Sequence, residues 1–308
     1  MIGAALVALA VTSAPLVAPG PQGALAGTLV EAQSGAPVVL VVPGSGPTDR
    51  DGNNPLGVTA APYRRLAEAL AERGVASVRI DKRGMFGSRA AVADANRVTI
   101  ADYVADVRAW REAIRERTGA DCTWLLGHSE GALVALVAAQ RPEGLCGVIL
   151  VAGPGRKLSE VMRGQLRANP ANAPILDSAL ATLDALEAGR TVDVAGLHPA
   201  LQQLFAPAVQ PFLIDVFRHD PAKLGSTLAV PALIVQGERD IQVPASDARA
   251  LAAAQPQAKL VLLPRMNHVL SAVDGDDRRA NLAAYADPSR PVEPALVEAI
   301  ADYVRRPR

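Results

Sequence analysis

The stretch Gly127-His128-Ser129-Glu130-Gly131 decides how the rest of the chain is read. It follows an apolar run, Trp124-Leu125-Leu126, and precedes an alanine-rich helix former, Ala132 to Gln140. That order is strand, sharp turn, helix. A serine at such a turn is lifted out at the carboxyl edge of a sheet, with its hydroxyl open to a substrate. Gly127 and Gly131 flank it because side chains two residues either side would collide in so tight a bend. The pattern G-x-S-x-G alone is weak, since chance yields it in roughly one chain of this length in ten. Its surroundings carry the weight.

Upstream, Val38 to Val42 is an unbroken β-branched and leucine run, the signature of a strand buried on both faces. It ends in Pro43-Gly44-Ser45-Gly46-Pro47 and Thr48-Asp49-Arg50-Asp51-Gly52-Asn53, which no helix or strand survives, so a shaped loop is expected. Gly23–Val30 and Val75–Ile80 read as strands, and Tyr63–Arg73 as a helix. Ile100–Arg117 is an amphipathic helix, with Ile100, Val104, Val107, Trp110 and Ile114 recurring at helical spacing. Downstream, Val148–Ala152 is another buried strand. Strand and helix alternate, which predicts an α/β fold with a doubly wound, mostly parallel sheet.

From Lys157 to about Lys223 no strand pattern appears. Four helical segments are expected, over 158–168, 175–188, 200–205 and 209–217, broken by prolines. This reads as a helical cap, 157–223, inserted into a core formed by 22–156 and 224–308. Strands resume at Ala232–Val235 and Leu260–Leu263, and a last helix spans Pro294–Arg305.

Residues 1–21 have two readings. Ile2–Val11 is apolar, and Thr12-Ser13-Ala14 is small, which resembles a secretory signal, although no Lys or Arg precedes it. The alternative is a first strand or a disordered extension. A signal would make the protein periplasmic or secreted; otherwise it is cytoplasmic.

The chain of 308 residues is half apolar but only 3% aromatic, so its core is built of small aliphatics. Lys+Arg and Asp+Glu both number 31, which removes the basic field that nucleic-acid binding needs. No apolar span reaches eighteen residues, so no transmembrane helix is expected.

A serine hydroxyl becomes a useful nucleophile only with a histidine to take its proton and a carboxylate to orient that histidine. Two of the later strands end suitably. Gln236-Gly237-Glu238-Arg239-Asp240 follows one, and Pro264-Arg265-Met266-Asn267-His268 follows the next. In a parallel sheet all carboxyl ends lie on one edge, so Ser129, Asp240 and His268 can converge there. Glu238 is the nearest rival to Asp240. The oxyanion of an acyl-transfer transition state needs two backbone N–H donors. The expected pair is Glu130, directly after the nucleophile, and Ser45, with Gly46 next in line.

The order Ser, Asp, His is that of the α/β-hydrolases, which the chain resembles from Gly23 onward. The 43–53 loop, together with Gly-His-Ser-Glu-Gly and Asp81-Lys82-Arg83-Gly84, is similar to a bacterial branch of carboxylesterase-like and serine-aminopeptidase-like (S33) hydrolases. Many relatives carry His-Gly where this chain has Pro43-Gly44, a departure that backbone donors tolerate. The resemblance implies a cofactor-free serine esterase acting on small-molecule esters through an acyl-enzyme. The alternatives are an aminopeptidase or acyl thioesterase using the same triad, or a binding protein on a hydrolase scaffold.

Blander roles are expected elsewhere. His128 packs or hydrogen-bonds below the site, and His198 and His219 are surface or packing residues. Asp49, Arg50 and Asp51 pair with each other and with backbone to hold their loop, or bind a charged end of the substrate, and Arg83 stabilises its own loop. Glu130 favours its helix N-terminus by charge–dipole attraction, or binds a substrate amine, as Asp215 also could. No Cys/His spacing suggests a metal site. Cys122 lies seven residues before Ser129 and Cys146 seven before Gly153, each at the start of a strand. In register, their Cα atoms would sit about 4.8–5.5 Å apart, within disulfide reach; the other reading is two buried thiols.

Overall fold

The computed structural model describes residues 12–306. One eight-stranded sheet runs through it: β1 Ser13–Pro19, β2 Ala24–Val30, β3 Val38–Val42, β4 Ala76–Ile80, β5 Thr123–His128, β6 Leu145–Val151, β7 Ala232–Gly237 and β8 Lys259–Leu263. The spatial order is β1-β2-β4-β3-β5-β6-β7-β8. β1 and β2 pair antiparallel, as do β2 and β4, and every later neighbour is parallel. The sheet is therefore mostly parallel, as the alternation of strand and helix predicts.

The helices are α1 Pro62–Glu72, α2 Ile100–Thr118, α3 Glu130–Ala138, α4 Leu158–Ala168, α5 Leu176–Glu187, α6 Pro199–Leu204, α7 Gln210–Phe217, α8 Pro221–Ser226, α9 Ala245–Ala254, α10 Arg278–Ala283 and α11 Pro294–Val304. The two faces of the sheet show why β3 is apolar throughout. Val38, Leu40 and Val42 belong to one core with Trp110 of α2, Leu133 of α3 and Leu251 of α9. Val39 and Val41 belong to a second core with Leu66 and Leu70 of α1 and Ile300 of α11. Successive strand residues point to opposite faces, so a strand covered by helices on both sides has no polar face. The caps follow local chemistry. At α2, Thr99 and Asp102 form a reciprocal capping box, and Gly119 closes the C-terminus at φ 72°.

Between β6 and β7 the chain forms five helices, α4 to α8, and no strand. Helix α4 has the bounds expected from the sequence. This insertion packs on the same core as α2 and α3 through Leu183, Leu201, Phe205 and Phe217.

One open reading is decided and one expectation is corrected. Of the alternatives for the N-terminal segment, the first strand is the one observed over Ser13–Pro19, an edge strand in register with β2 from Ser13↔Val30 to Pro19↔Ala24. Its prolines are tolerated because an edge strand has a row of amides that pair with nothing. Residues 2–11, which carry the apolar part of the signal reading, lie outside the described residues. The cysteine register also differs. The expected offset would set Leu125 opposite Ile149, whereas Leu125 faces Val148. Pairing slips between Thr123 and Trp124, which oppose Leu145 and Gly147, so Cys146 is the extra residue of a bulge. The bulge brings Cys146 to Cys122, with Cα atoms 5.2 Å apart, and the disulfide is formed.

Candidate active site

Parallel pairing fixes which loops leave the sheet together. Val42 pairs with Gly127, so the loop after β3 and the turn after β5 emerge side by side. Gly237 pairs with Leu263, so the loops carrying Asp240 and His268 do the same. β3 is also where the chain reverses its direction of travel across the sheet, and crevices form at such switch points.

Ser129 sits at φ 55°, ψ −123°, between β5 and α3. Few non-glycine residues adopt this conformation, and a bend this sharp imposes it. The flanking glycines are sterically required. A Cβ on Gly127 would strike the Gly131 backbone, and one on Gly131 would strike the Val42 and Pro43 carbonyls. Gly44 approaches almost as closely, since a Cβ there would lie 3.2 Å from the Ser129 Cβ.

Asp240 and His268 meet. His268 Nδ1 lies 2.8 Å from Asp240 Oδ2. The other carboxylate oxygen accepts the Gln242 and Val243 amides at 2.8 and 2.9 Å. Burial would raise this carboxyl, but His268 and the two amides outweigh it and hold Asp240 below the usual range. Glu238, its rival, instead lies by Arg249 at the surface. A carboxylate can only accept, so His268 Nδ1 carries the proton and Nε2 is left as an acceptor. Among the described residues the Ser129 hydroxyl forms no hydrogen bond.

His128 connects these parts. Its ring centroid is 4.7 Å from that of His268, and its Nε2 is 2.9 Å from the His268 carbonyl. Its Nδ1 is 2.8 Å from the Tyr63 hydroxyl, which lies 3.1 Å from the Gly44 amide. Burial, then the neighbouring His268, pull His128 down to about 3, so it is neutral. Burial pushes the Tyr63 phenol up. The expectation that His128 hydrogen-bonds below the site is met, and Tyr63 is the partner that sequence reasoning missed.

The loop after β3 is tied down by its own charges, though not as expected. Asp49 accepts the Asp51 and Asn53 amides, both at 2.8 Å. Arg50 and Asp51 do not pair with each other: Arg50 binds Asp81 and Asp51 binds Arg79. Both partners come from β4 and its exit, which no local pattern could reveal. Arg83 is bound by Asp102 and Asp106 of α2, as befits a loop-stabilising residue. Ser45 is exposed and Gly46 has φ 65°. Among the described residues, neither the Ser45 nor the Glu130 amide donates a hydrogen bond.

The contact between Lys82 and Glu130 is the second feature that sequence reasoning missed. Both are buried, at 4% and 2% exposure, and their charged atoms stand 3.6 Å apart, an ion pair too long for a hydrogen bond. Lys82 Nζ donates to the Gly44 carbonyl at 2.7 Å. Burial lowers the Lys82 ammonium, and Glu130 opposes the shift. The Asp-Lys-Arg-Gly turn was the available signal, but nothing in it indicates that the lysine points inward. Of the remaining histidines, His198 accepts the Ala200 amide at 3.2 Å, and His219 is half-buried. No group of three or more His, Cys, Asp or Glu able to hold a metal ion occurs among the described residues.

Comparison with solved structures matches this arrangement of strands. A thermophilic esterase of Thermogutta terrifontis superposes with a TM-score of 0.56 over 96% of this chain and 98% of its own, at 19% identity. This chain has the α/β-hydrolase fold. An esterase of Pyrococcus furiosus superposes at 0.56 over 84% of both chains, with 16% identity. The family model described as serine aminopeptidase, S33, matches residues 56–185 of this chain. Esterase EstD of Thermotoga maritima is 27% identical over 78% of the chain, which spans 56% of that relative's length. No helix among the described residues is long and apolar enough to cross a membrane.

Proposed function

We propose that this α/β-hydrolase is a serine esterase that cleaves carboxylic esters of small acyl or aryl groups through an acyl-enzyme. The observation that carries this reading is the buried Asp240–His268 pair on the sheet edge where Ser129 stands at positive φ. Ser129 attacks the ester carbonyl and His268 Nε2 takes its proton. Asp240 keeps the proton on Nδ1 and stabilises the imidazolium that forms. The Glu130 and Ser45 amides stabilise the negative charge on the former carbonyl oxygen. The alcohol leaves with the proton from His268. Water, deprotonated by the same histidine, then attacks the acyl carbon; the acid leaves as Ser129 takes the proton back from His268.

The insertion 157–223 acts as a cap over this site. Phe212 of α7 packs edge-on against Tyr103, with ring centroids 6.2 Å apart, and Lys82 lies 5.5 Å from the centre of that Tyr103 ring. The cap thus reaches the residues beneath the proposed oxyanion hole.

Ester cleavage is favoured over release of N-terminal residues because both candidate amine anchors are engaged. Glu130 is buried against Lys82, and Asp215 accepts the Ile100 amide at 2.8 Å. The test is turnover of a p-nitrophenyl ester series against aminoacyl-naphthylamides, with fluorophosphonate labelling. Short-chain esters are expected to turn over faster, and the label to be lost in Ser129→Ala. Faster naphthylamide turnover would favour the aminopeptidase reading. A wild-type protein that neither labels nor exceeds Ser129→Ala would leave only a scaffold that binds.

A further inference from the structure

The buried Lys82–Glu130 pair has no place in the proton transfers above, and burying two charges is costly enough that apolar residues of the same volume are often as stable or more so. Among the described residues the Lys82 ammonium makes one hydrogen bond, to the carbonyl of Gly44. That carbonyl and the amide of Ser45 belong to a single peptide unit. No cis peptide occurs among the described residues, and in a trans peptide the C=O and the N–H point in opposite directions. Whatever holds the Gly44 oxygen therefore sets the direction of the Ser45 N–H.

We infer that Lys82 is a positioning residue that aims the Ser45 amide into the oxyanion hole, and that Glu130 couples this to the second donor. Glu130 supplies its own backbone N–H on one side and, through its carboxylate, holds the Lys82 ammonium on the other. One ion pair thus links both donors, one on the loop after β3 and the other at the start of α3. The inference rests on the esterase reading and deepens it.

Two further observations support it. Tyr63 accepts the Gly44 amide at 3.1 Å, so the peptide groups on both sides of the Gly44 Cα are anchored while the Ser45 amide is left unpaired. The charged donor also polarises the peptide it holds, since hydrogen bonds in a chain strengthen one another, which makes the Ser45 N–H a better donor. Ordinary charge neutralisation of Glu130 would explain the ion pair but not the bond to Gly44.

The decisive variant is Lys82→Met with Glu130→Gln, which removes both charges together and leaves both backbone amides in place. A thermal melt near that of the wild type establishes that it folds. With p-nitrophenyl acetate, kcat is expected to fall about 10–100-fold, less than or equal to the loss of a whole donor, with KM within about twofold. Affinity for an alkyl trifluoromethyl ketone, whose adduct carries the oxyanion, should fall by the same factor. Wild-type kcat and ketone affinity in the folded double variant would overturn the inference. If that variant folds poorly, Lys82→Arg serves in its place: it keeps charge and donor, and should retain kcat within about threefold of wild type. A loss above about tenfold in folded Lys82→Arg would likewise overturn it. Failure of the esterase reading looks different, because the wild type itself would then show no ester turnover and no fluorophosphonate label.

Discussion

The Tyr63 hydroxyl lies 2.8 Å from His128 Nδ1, and the opposite nitrogen of that ring lies 2.9 Å from the carbonyl of His268. These contacts fix the hydrogens of the His128 ring and of the Tyr63 hydroxyl. A carbonyl only accepts, so His128 Nε2 carries the hydrogen. The ring is neutral, so Nδ1 accepts and Tyr63 donates to it. The remaining lone pairs of Tyr63 take the Gly44 amide. The loop after β3 and the loop holding His268 are thereby joined through two side chains.

Removing the hydroxyl tests that join. Tyr63→Phe leaves a buried amide and a buried imidazole nitrogen without partners, each costing about 1–3 kcal/mol. The variant is expected to be about 2–4 kcal/mol less stable in urea and to lose ester turnover as well. Unchanged stability would mean that the hydroxyl is idle.

The neutrality of His128 makes a prediction for acid. Its value is about 3 in the folded protein against an ordinary 6.5, so the unfolded chain takes up a proton that the folded one refuses. Stability from this source is complete above pH 6.5 and drains away as the pH falls toward 3. Between pH 7.5 and 5 the loss amounts to about 2 kcal/mol. His219, half-buried and also pulled down by burial, contributes with the same sign. Asp240, held low, loses its contribution only once the pH falls below the ordinary carboxylate value. His128→Gln can still accept from Tyr63 and donate to His268 without titrating. Its urea midpoint should therefore fall less over this range than that of the wild type.

Asp240→Asn is the sharpest test of the orienting carboxylate. An amide in that place can donate to His268 Nδ1 and so leave the proton on Nε2, the wrong tautomer for a base. A fall in kcat of about 10³–10⁴ is expected with the fold intact, measured on p-nitrophenyl acetate. By contrast, Glu238→Gln should leave kcat unchanged, because Glu238 lies by Arg249 at the surface.

The Cys122–Cys146 bridge closes a sequence separation of 24 residues around the turn that carries Ser129. Replacing both cysteines by serine should lower stability by about 3–4 kcal/mol. Equal urea midpoints with and without dithiothreitol in the wild type would show that the bridge contributes nothing.

Much of this could be read from residues in order. The β3 run, the glycines around Ser129 and the chain order of Ser129, Asp240 and His268 depend on local sterics, burial pattern and the single direction of a parallel sheet. These are properties that a stretch of residues carries with it. The edge strand β1 is not legible in the same way, because its prolines and exposed alternation resemble an extension as much as a strand.

Tertiary structure alone decided which distant side chains stand opposite one another. Tyr63 and His128 are 65 residues apart, and Lys82 and Gly44 are 38 apart. Periodicity tells which face of an element is buried, but not which residue of another element fills the space beyond it. The same limit explains the cysteines: their pairing was within reach of a register argument, while the bulge that brings them together depends on how two whole strands settle against each other. The amino-acid order determined the sheet, the turn and the three residues brought to one edge. The packing of loops over that edge determined how their protons and charges are held, because those contacts exist only once the elements are assembled.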